Sequence, residues 1–284
     1  MRILVLCPIM NDIFNPIAKA CYESFQTLGH DVDYATEYKE GYDLALFTAF
    51  HHPWKIPKQT STVKLGYHFE LLPWRYTNSH LQRSLKKFKH QVALYDYVVD
   101  FSYNNAKWLQ QQGYKNVFWC ALGYHPSLEN ESKYNLHTEC PVRFIGSSQK
   151  RRLKILKYIN NKLSSKQIPI ETRYVGPNDN CGANVHLNIH SYEVNSFESH
   201  RLIVLMSNQQ FVITEPVDDC HPFNNKRHWI ETKWRHLPLE IEYYVHHPKE
   251  RSEIANQAYH FIREQYNFVT HLQRLLHEIR SKDK

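Results

Sequence analysis

The chain has 284 residues, 42% apolar and 22% charged, with 35 basic against 28 acidic side chains, a net charge of +7 and 19 histidines. That composition excludes a disordered chain, and the lack of any run of about eighteen apolar residues excludes a predicted membrane span. Six cysteines without a CxxC pair point to reduced core thiols and a cytoplasmic setting rather than a disulfide frame or a zinc site. The basic, aromatic-rich makeup suits anionic small substrates or peripheral contact with an anionic membrane face. No nucleic-acid module signature is present, so no nucleic-acid partner is expected.

In chain order, the apolar run 3–7 meets polar Asn11 and Asp12 at once, without a small-residue cleavage site. It reads as a parallel strand buried on both faces rather than a secretory signal. Apolar residues at 14, 17, 18, 21, 22, 25 and 28 have helical spacing, and Gly29 follows as a stop. Strands are predicted at 31–35, 43–47 and 63–68, a helix at 79–93, a strand at 97–101, a helix at 104–112 closed by Gly113, and a strand at 116–121. Strands separated by helix-length segments call for a parallel sheet with right-handed crossovers. The polar stretch 127–139 is the expected linker between a domain at 1–135 and a second at 136–284.

The pattern then restarts with a strand at 142–145, a tight Gly146-Ser147-Ser148 loop and a basic helix at 150–163. Strands at 170–175 and 185–189, a helix at 198–206 and a strand at 211–214 follow, and from 225 onward the chain reads as helical, broken at Pro238 and Pro248. The predicted fold class is α/β: two Rossmann-like domains facing a central cleft, with a helical C-terminal tail whose apolar positions run from Ile254 to Ile279.

Four segments carry a resemblance. They are Val142-Arg143-Phe144-Ile145-Gly146 followed by Arg151-Arg152-Leu153; Leu187-Asn188-Ile189-His190; Arg201-Leu202-Ile203-Val204-Leu205-Met206-Ser207 with Phe211-Val212-Ile213-Thr214-Glu215; and Leu239 onward through His247-Pro248-Lys249-Glu250-Arg251. In this order and spacing they resemble the CgeB-like bacterial glycosyltransferases and the glycosyl transferases group 1 family, within the GT-B superfamily. Leu28-Gly29-His30-Asp31-Val32 is similar to the entry to the second strand in that superfamily. The resemblance implies transfer of a sugar from a nucleotide-sugar donor, bound by the C-terminal domain, to a glycan, lipid-linked or protein acceptor. It implies no cofactor beyond that donor. The chain departs from related retaining enzymes where they carry a glutamate pair, since Ser196 and Val204 stand at the matching positions. A nucleotide-sugar epimerase and a non-catalytic nucleotide- or glycan-binding relative are the alternatives.

A nucleotide diphosphate needs backbone N–H groups, a helix N-terminus and fixed cations, because the leaving group gains negative charge as the glycosidic bond breaks. Gly146 and Ser147, just before a helix, supply the first two, or simply cap that helix. Adjacent Arg151 and Arg152 cannot face the same way on a helix, and Arg152 is taken as the ligand. Arg201 opens an otherwise apolar helix and is the main phosphate candidate, with an ion pair to Glu198 as its alternative. Ser196 and Ser199 beside that helix start are candidate phosphate or sugar contacts, or caps. Glu215 and His190 close two strands at their carboxyl ends, where such sheets place ligand groups; Glu215 could instead form a salt bridge. A base for the acceptor hydroxyl is sought in the loops after the first, third and fourth strands, where Asp12, His68 and Glu70 are the catalytic candidates beside His51 and His52. No metal is expected: the histidine pairs are adjacent, and the single D-x-D lies within a predicted strand.

Overall fold

The computed structural model describes residues 1–8, 14–57, 59–72, 79–129, 140–173 and 182–282. Its elements, in order, are β1 (Arg2–Leu6), α1 (Asn15–Thr27), β2 (Asp31–Ala35), β3 (Leu44–Phe47), β4 (Val63–His68), α2 (Ser79–Gln91), β5 (Tyr97–Asp100), α3 (Tyr103–Gln111) and β6 (Val117–Trp119). There follow β7 (Val142–Ile145), α4 (Lys150–Leu163), β8 (Ile170–Arg173), β9 (Val185–Asn188), α5 (Ser199–Ser207), β10 (Val212–Thr214), β11 (Ile230–Glu231), α6 (Leu237–His246), α7 (Pro248–Gln265) and α8 (Phe268–Lys282).

Two units result. The first lies within 1–127, 198–200 and 266–284, the second within 128–197 and 201–265. Among the described residues the first holds a six-stranded sheet in the order β2-β1-β3-β4-β5-β6 and the second a five-stranded sheet in the order β11-β10-β9-β7-β8. All pairings within them are parallel. Strands covered on both faces must be apolar throughout, and Ile3-Leu4-Val5-Leu6 and Leu44-Ala45-Leu46-Phe47 are accordingly buried without alternation. In the first unit α1 turns Ile17, Ala18, Cys21 and Phe25 inward and ends at Gly29, whose φ of +79° suits glycine. In the second, α4 buries Ile155, Leu156, Ile159 and Leu163 against Val142, Phe144, Val185 and Leu187.

The strand–helix alternation matches the sequence reading closely; the tail differs in three ways. Pro238 and Pro248 sit in the first turns of α6 and α7 rather than between helices, where a fixed φ and a missing N–H cost nothing. A two-residue strand, β11, precedes them. The helix α8, assigned by sequence to 136–284, belongs instead to the first unit. It packs on α1 and buries Phe268, Leu272, Leu275, Leu276 and Ile279. Its entry is fixed by backbone bonds, Tyr124 N–H to Tyr266 O (2.8 Å) and Phe268 N–H to Tyr124 O (2.9 Å). Gly123 permits that approach, since a Cβ there would fall 2.7 Å from Tyr266 O. Most of the expected linker, residues 130–139, lies outside the described residues, as do 174 and 175 of the strand expected at 170–175.

Candidate functional site

In the second sheet the crossovers change direction between β7 and β9, and the carboxyl ends of those two strands bound the crevice where such sheets take ligands. After Ile145 the chain turns through Gly146, whose φ of +156° lies in a region almost confined to glycine. A Cβ on Gly146 would lie 3.1 Å from the Phe144 ring, 3.3 Å from Arg152 Nη1 and 3.3 Å from Arg201 Nη2. Two guanidinium groups from different helices therefore converge on a stretch of bare backbone.

Local bonds hold them there. Arg152, buried on α4, donates from Nε to Ile189 O (2.8 Å) and from Nη1 to Ser147 Oγ (2.9 Å), and its guanidinium carbon sits 5.4 Å from the Phe144 ring centre. Arg201, in the first turn of α5, donates from Nη1 to Asn188 Oδ1 (3.0 Å), and the Asn188 amide donates to Thr214 Oγ1 (2.9 Å). The β9–β10 register places Asn188 directly beside Thr214. Arg151 donates from Nη1 to Glu215 Oε2 (2.7 Å) and His190 O (2.8 Å), and from Nη2 to Glu215 Oε1 (2.5 Å). Glu215, 3% exposed, also accepts from the His190 N–H (2.8 Å). Three guanidinium groups stand with one carboxylate in this set, beside the first-turn N–H groups of α4. Such an arrangement suits an anion with several oxygens and more than one charge.

Gly146, Ser147, Arg152, His190, Arg201 and Glu215 are thus brought to one end of one sheet. The salt bridge open to Glu215 is formed, with Arg151. His190 is buried, with Nε2 3.0 Å from Pro216 O. Ser196 is buried, with no hydrogen-bond partner for its Oγ among the described residues, in a loop whose backbone pairs with Asp218. Ser199 Oγ accepts from the Leu122 N–H (3.3 Å), and Ser199 belongs to the first unit. Arg151 and Arg152 diverge around α4, yet both reach the chain just after β9, at two successive carbonyls, His190 and Ile189. Sequence reading missed Asn188 as a site residue and weighed Arg151 for charge without finding its partner. Asn188 had a signal, a polar residue closing an apolar strand; the partner of Arg151 is 64 residues away.

In the first unit the β4–β5 register pairs His68 with Asp100, and His68 Nδ1 lies 2.8 Å from Asp100 Oδ2, both side chains fully buried. Asp100 Oδ1 also accepts from Ser102 N–H (2.8 Å) and Asn105 Nδ2 (3.2 Å). Asn105 continues the network, donating to Glu70 O (2.9 Å) and accepting from Leu72 N–H (3.2 Å). The turn at 70–72 is therefore clasped from beneath, while the Glu70 side chain is exposed. The His68 ring lies edge-on to Phe50 (5.0 Å), Phe88 (5.1 Å) and His51 (5.2 Å), sealed from solvent. Burial raises the Asp100 carboxyl above its usual range against the opposing pull of His68. Burial, then His68, lowers His51 to about 4. Asp12 lies outside the described residues.

Residues 172–277 match the family model described as "Glycosyl transferase-like". Among solved structures the chain is similar to Anabaena HepE in complex with UDP-glucose, at 11% identity and a TM-score of 0.62 over 99% of this chain and 100% of that one. It is similar also to AviGT4, a glycosyltransferase involved in avilamycin A biosynthesis (10% identity, TM-score 0.61, 98% and 96% coverage). A third likeness is to an α1,3-fucosyltransferase with GDP-fucose (10% identity, TM-score 0.51, 91% and 82% coverage). No sequence match was found among the curated proteins. At such identities these likenesses establish the fold, the two-sheet GT-B type.

Proposed function

We propose that this chain, with a glycosyl transferase-like segment at 172–277 and a GT-B fold, is a glycosyltransferase that moves a sugar from a nucleoside-diphosphate sugar without the help of a metal ion. The observation that carries the reading is the convergence of Arg152 and Arg201 on Gly146. As the bond to the sugar breaks, charge accumulates on the leaving diphosphate. Guanidinium and helix N–H groups already fixed at that point stabilise it without reorganising water. The fold is shared by proteins whose structures hold UDP-glucose and GDP-fucose, ligands that have the diphosphate in common and the base not. Because arginines supply the charge, chelation by EDTA should leave turnover unchanged.

The acceptor, a glycan, lipid-linked molecule or protein, falls to the first unit in this reading, and so does removal of its proton. Of the described candidates Glu70 has the exposed carboxylate, on a turn held by Asn105; His68, buried beneath Phe50 and Phe88, supports that turn through Asp100. Buried free thiols at Cys7, Cys21 and Cys120 favour a reducing, cytoplasmic setting. Release of nucleoside diphosphate from UDP-glucose and GDP-fucose, with water or cell glycans as acceptor, tests the reading. Glu70→Gln should lower kcat by about a hundredfold or more with donor affinity unchanged. An unchanged kcat would move the base elsewhere, and an isomerised donor sugar in place of released diphosphate would make the chain an epimerase.

A further inference from the structure

The helix α4 uses one half of its circumference for the core and leaves the other half with an unusual content. From 140 to 170 the sequence has eight Lys or Arg and no Asp or Glu. Lys150, Lys154 and Lys157 are exposed on the outer half, and between them stands Leu153, 51% exposed, an apolar side chain the fold does not cover. Tyr158, on the same half, meets Trp234 edge-on at 5.3 Å and donates its hydroxyl to Arg235 O (3.2 Å), and Arg235 lies over the Trp234 ring at 5.2 Å. The adjoining helix α6 adds Leu239, 67% exposed. It also brings Glu240 and Glu242, and Glu242 is already paired with Lys166 (2.7 Å).

Lysines alone describe a solvated helix. Lysines interleaved with an uncovered leucine and bordered by a tyrosine–tryptophan pair describe something else: cations to attract anionic headgroups, an apolar side chain to enter the acyl boundary, and aromatic rings suited to the interface. The contrast with α2 sharpens the point. That helix exposes Arg83, Lys86, Lys87 and Lys89 but buries its Phe88 completely and half-buries Leu85, so among its described side chains no apolar one is exposed as Leu153 is. We propose that the outer face of α4, with the Tyr158–Trp234 pair, docks the second unit on an anionic lipid surface. Among the described residues no helix is long and apolar enough to cross a membrane, so such contact would be peripheral.

Co-sedimentation of the full chain with vesicles of phosphatidylcholine alone, or of phosphatidylcholine with phosphatidylglycerol, is the test. Binding to the anionic vesicles, weakened by salt, is expected. A lysine near such a surface contributes about 1 kcal/mol, roughly fivefold, so Lys154→Ala with Lys157→Ala should lower the partition constant about 25-fold. Leu153→Ser should lower it at least about fivefold, since insertion of a leucine contributes on the order of 1 kcal/mol or more. Lys86→Ala with Lys87→Ala removes the same charge from α2, which is no part of the proposed face, and should change it by no more than about twofold. All of these positions are exposed, and unaltered nucleotide affinity in each variant shows the fold intact, whatever becomes of the transfer reaction. Equal loss from the two lysine pairs would reduce the effect to net charge and overturn the proposal. So would equal binding to neutral vesicles, or no binding at all. Binding of a soluble polyanion such as heparin that is indifferent to Leu153→Ser would make the face a polyanion site instead.

Discussion

Calorimetric titration of Arg201→Ala with UDP-glucose or GDP-fucose, whichever the intact chain binds, should show affinity lowered by about thirty- to a hundredfold. A charge-assisted contact to phosphate contributes on the order of 2–3 kcal/mol, and each 1.4 kcal/mol is about a factor of ten. The melting temperature should hardly move. Arg201 is only partly buried, and Asn188 keeps its bond to Thr214 when Arg201 is gone. A surface ion pair would behave oppositely, contributing under about 1 kcal/mol and nothing to the ligand. Unchanged affinity with a lower melting temperature would therefore make Arg201 a structural residue and leave the diphosphate without its second cation.

Gly146→Ala should cost more than the loss of either arginine, on the order of a hundredfold or more in donor affinity. The added methyl occupies the surface on which both guanidinium groups converge, 3.3 Å from each, and the nearby Phe144 ring at 3.1 Å cannot swing away as an arginine tip can. The backbone conformation adds strain of about 1–3 kcal/mol, visible as a lower melting temperature. A double variant separates the two effects. If the methyl acts by displacing Arg201, then Arg201→Ala should cost little further affinity once Gly146→Ala is present, a departure from additivity that strain alone would not give. Full additivity would mean that the methyl acts through the backbone.

The sheets were legible because a strand buried on both faces must be a short unbroken apolar run, and segments such as Ile3-Leu4-Val5-Leu6 and Val212-Ile213-Thr214 leave little else to choose. Glycines fixed the helix ends: Gly29 and Gly113 follow α1 and α3 with positive φ. The crevice was legible as well, since loops at the carboxyl ends of parallel strands can be placed from strand order alone, and Gly146, His190 and Glu215 are such loop residues. What escaped depends on contacts distant in sequence. Nothing near Arg151 announces Glu215, and nothing in the tail announces that Tyr266 and Phe268 bond back to Tyr124. Asp100 escaped for another reason. It lies inside the strand expected at 97–101, among apolar neighbours, and only the β4–β5 register reveals that it faces His68. The prolines in α6 and α7 misled because a proline that ends one helix and a proline that begins the next look alike in sequence.

Whether the diphosphate of a nucleotide sugar binds at the carboxyl ends of β7 and β9 is tested most directly by amide hydrogen exchange, with and without UDP-glucose or GDP-fucose. Bound phosphate oxygens would take up the N–H groups of Ser147, Ser148 and the first turn of α4, and tie down the neighbouring loop at 189–190. Slower exchange concentrated at 146–152 and 189–190, and lost in Gly146→Ala, is the expected result. Saturating donor that leaves those amides unaltered while protecting only the sheet of the first unit would contradict it.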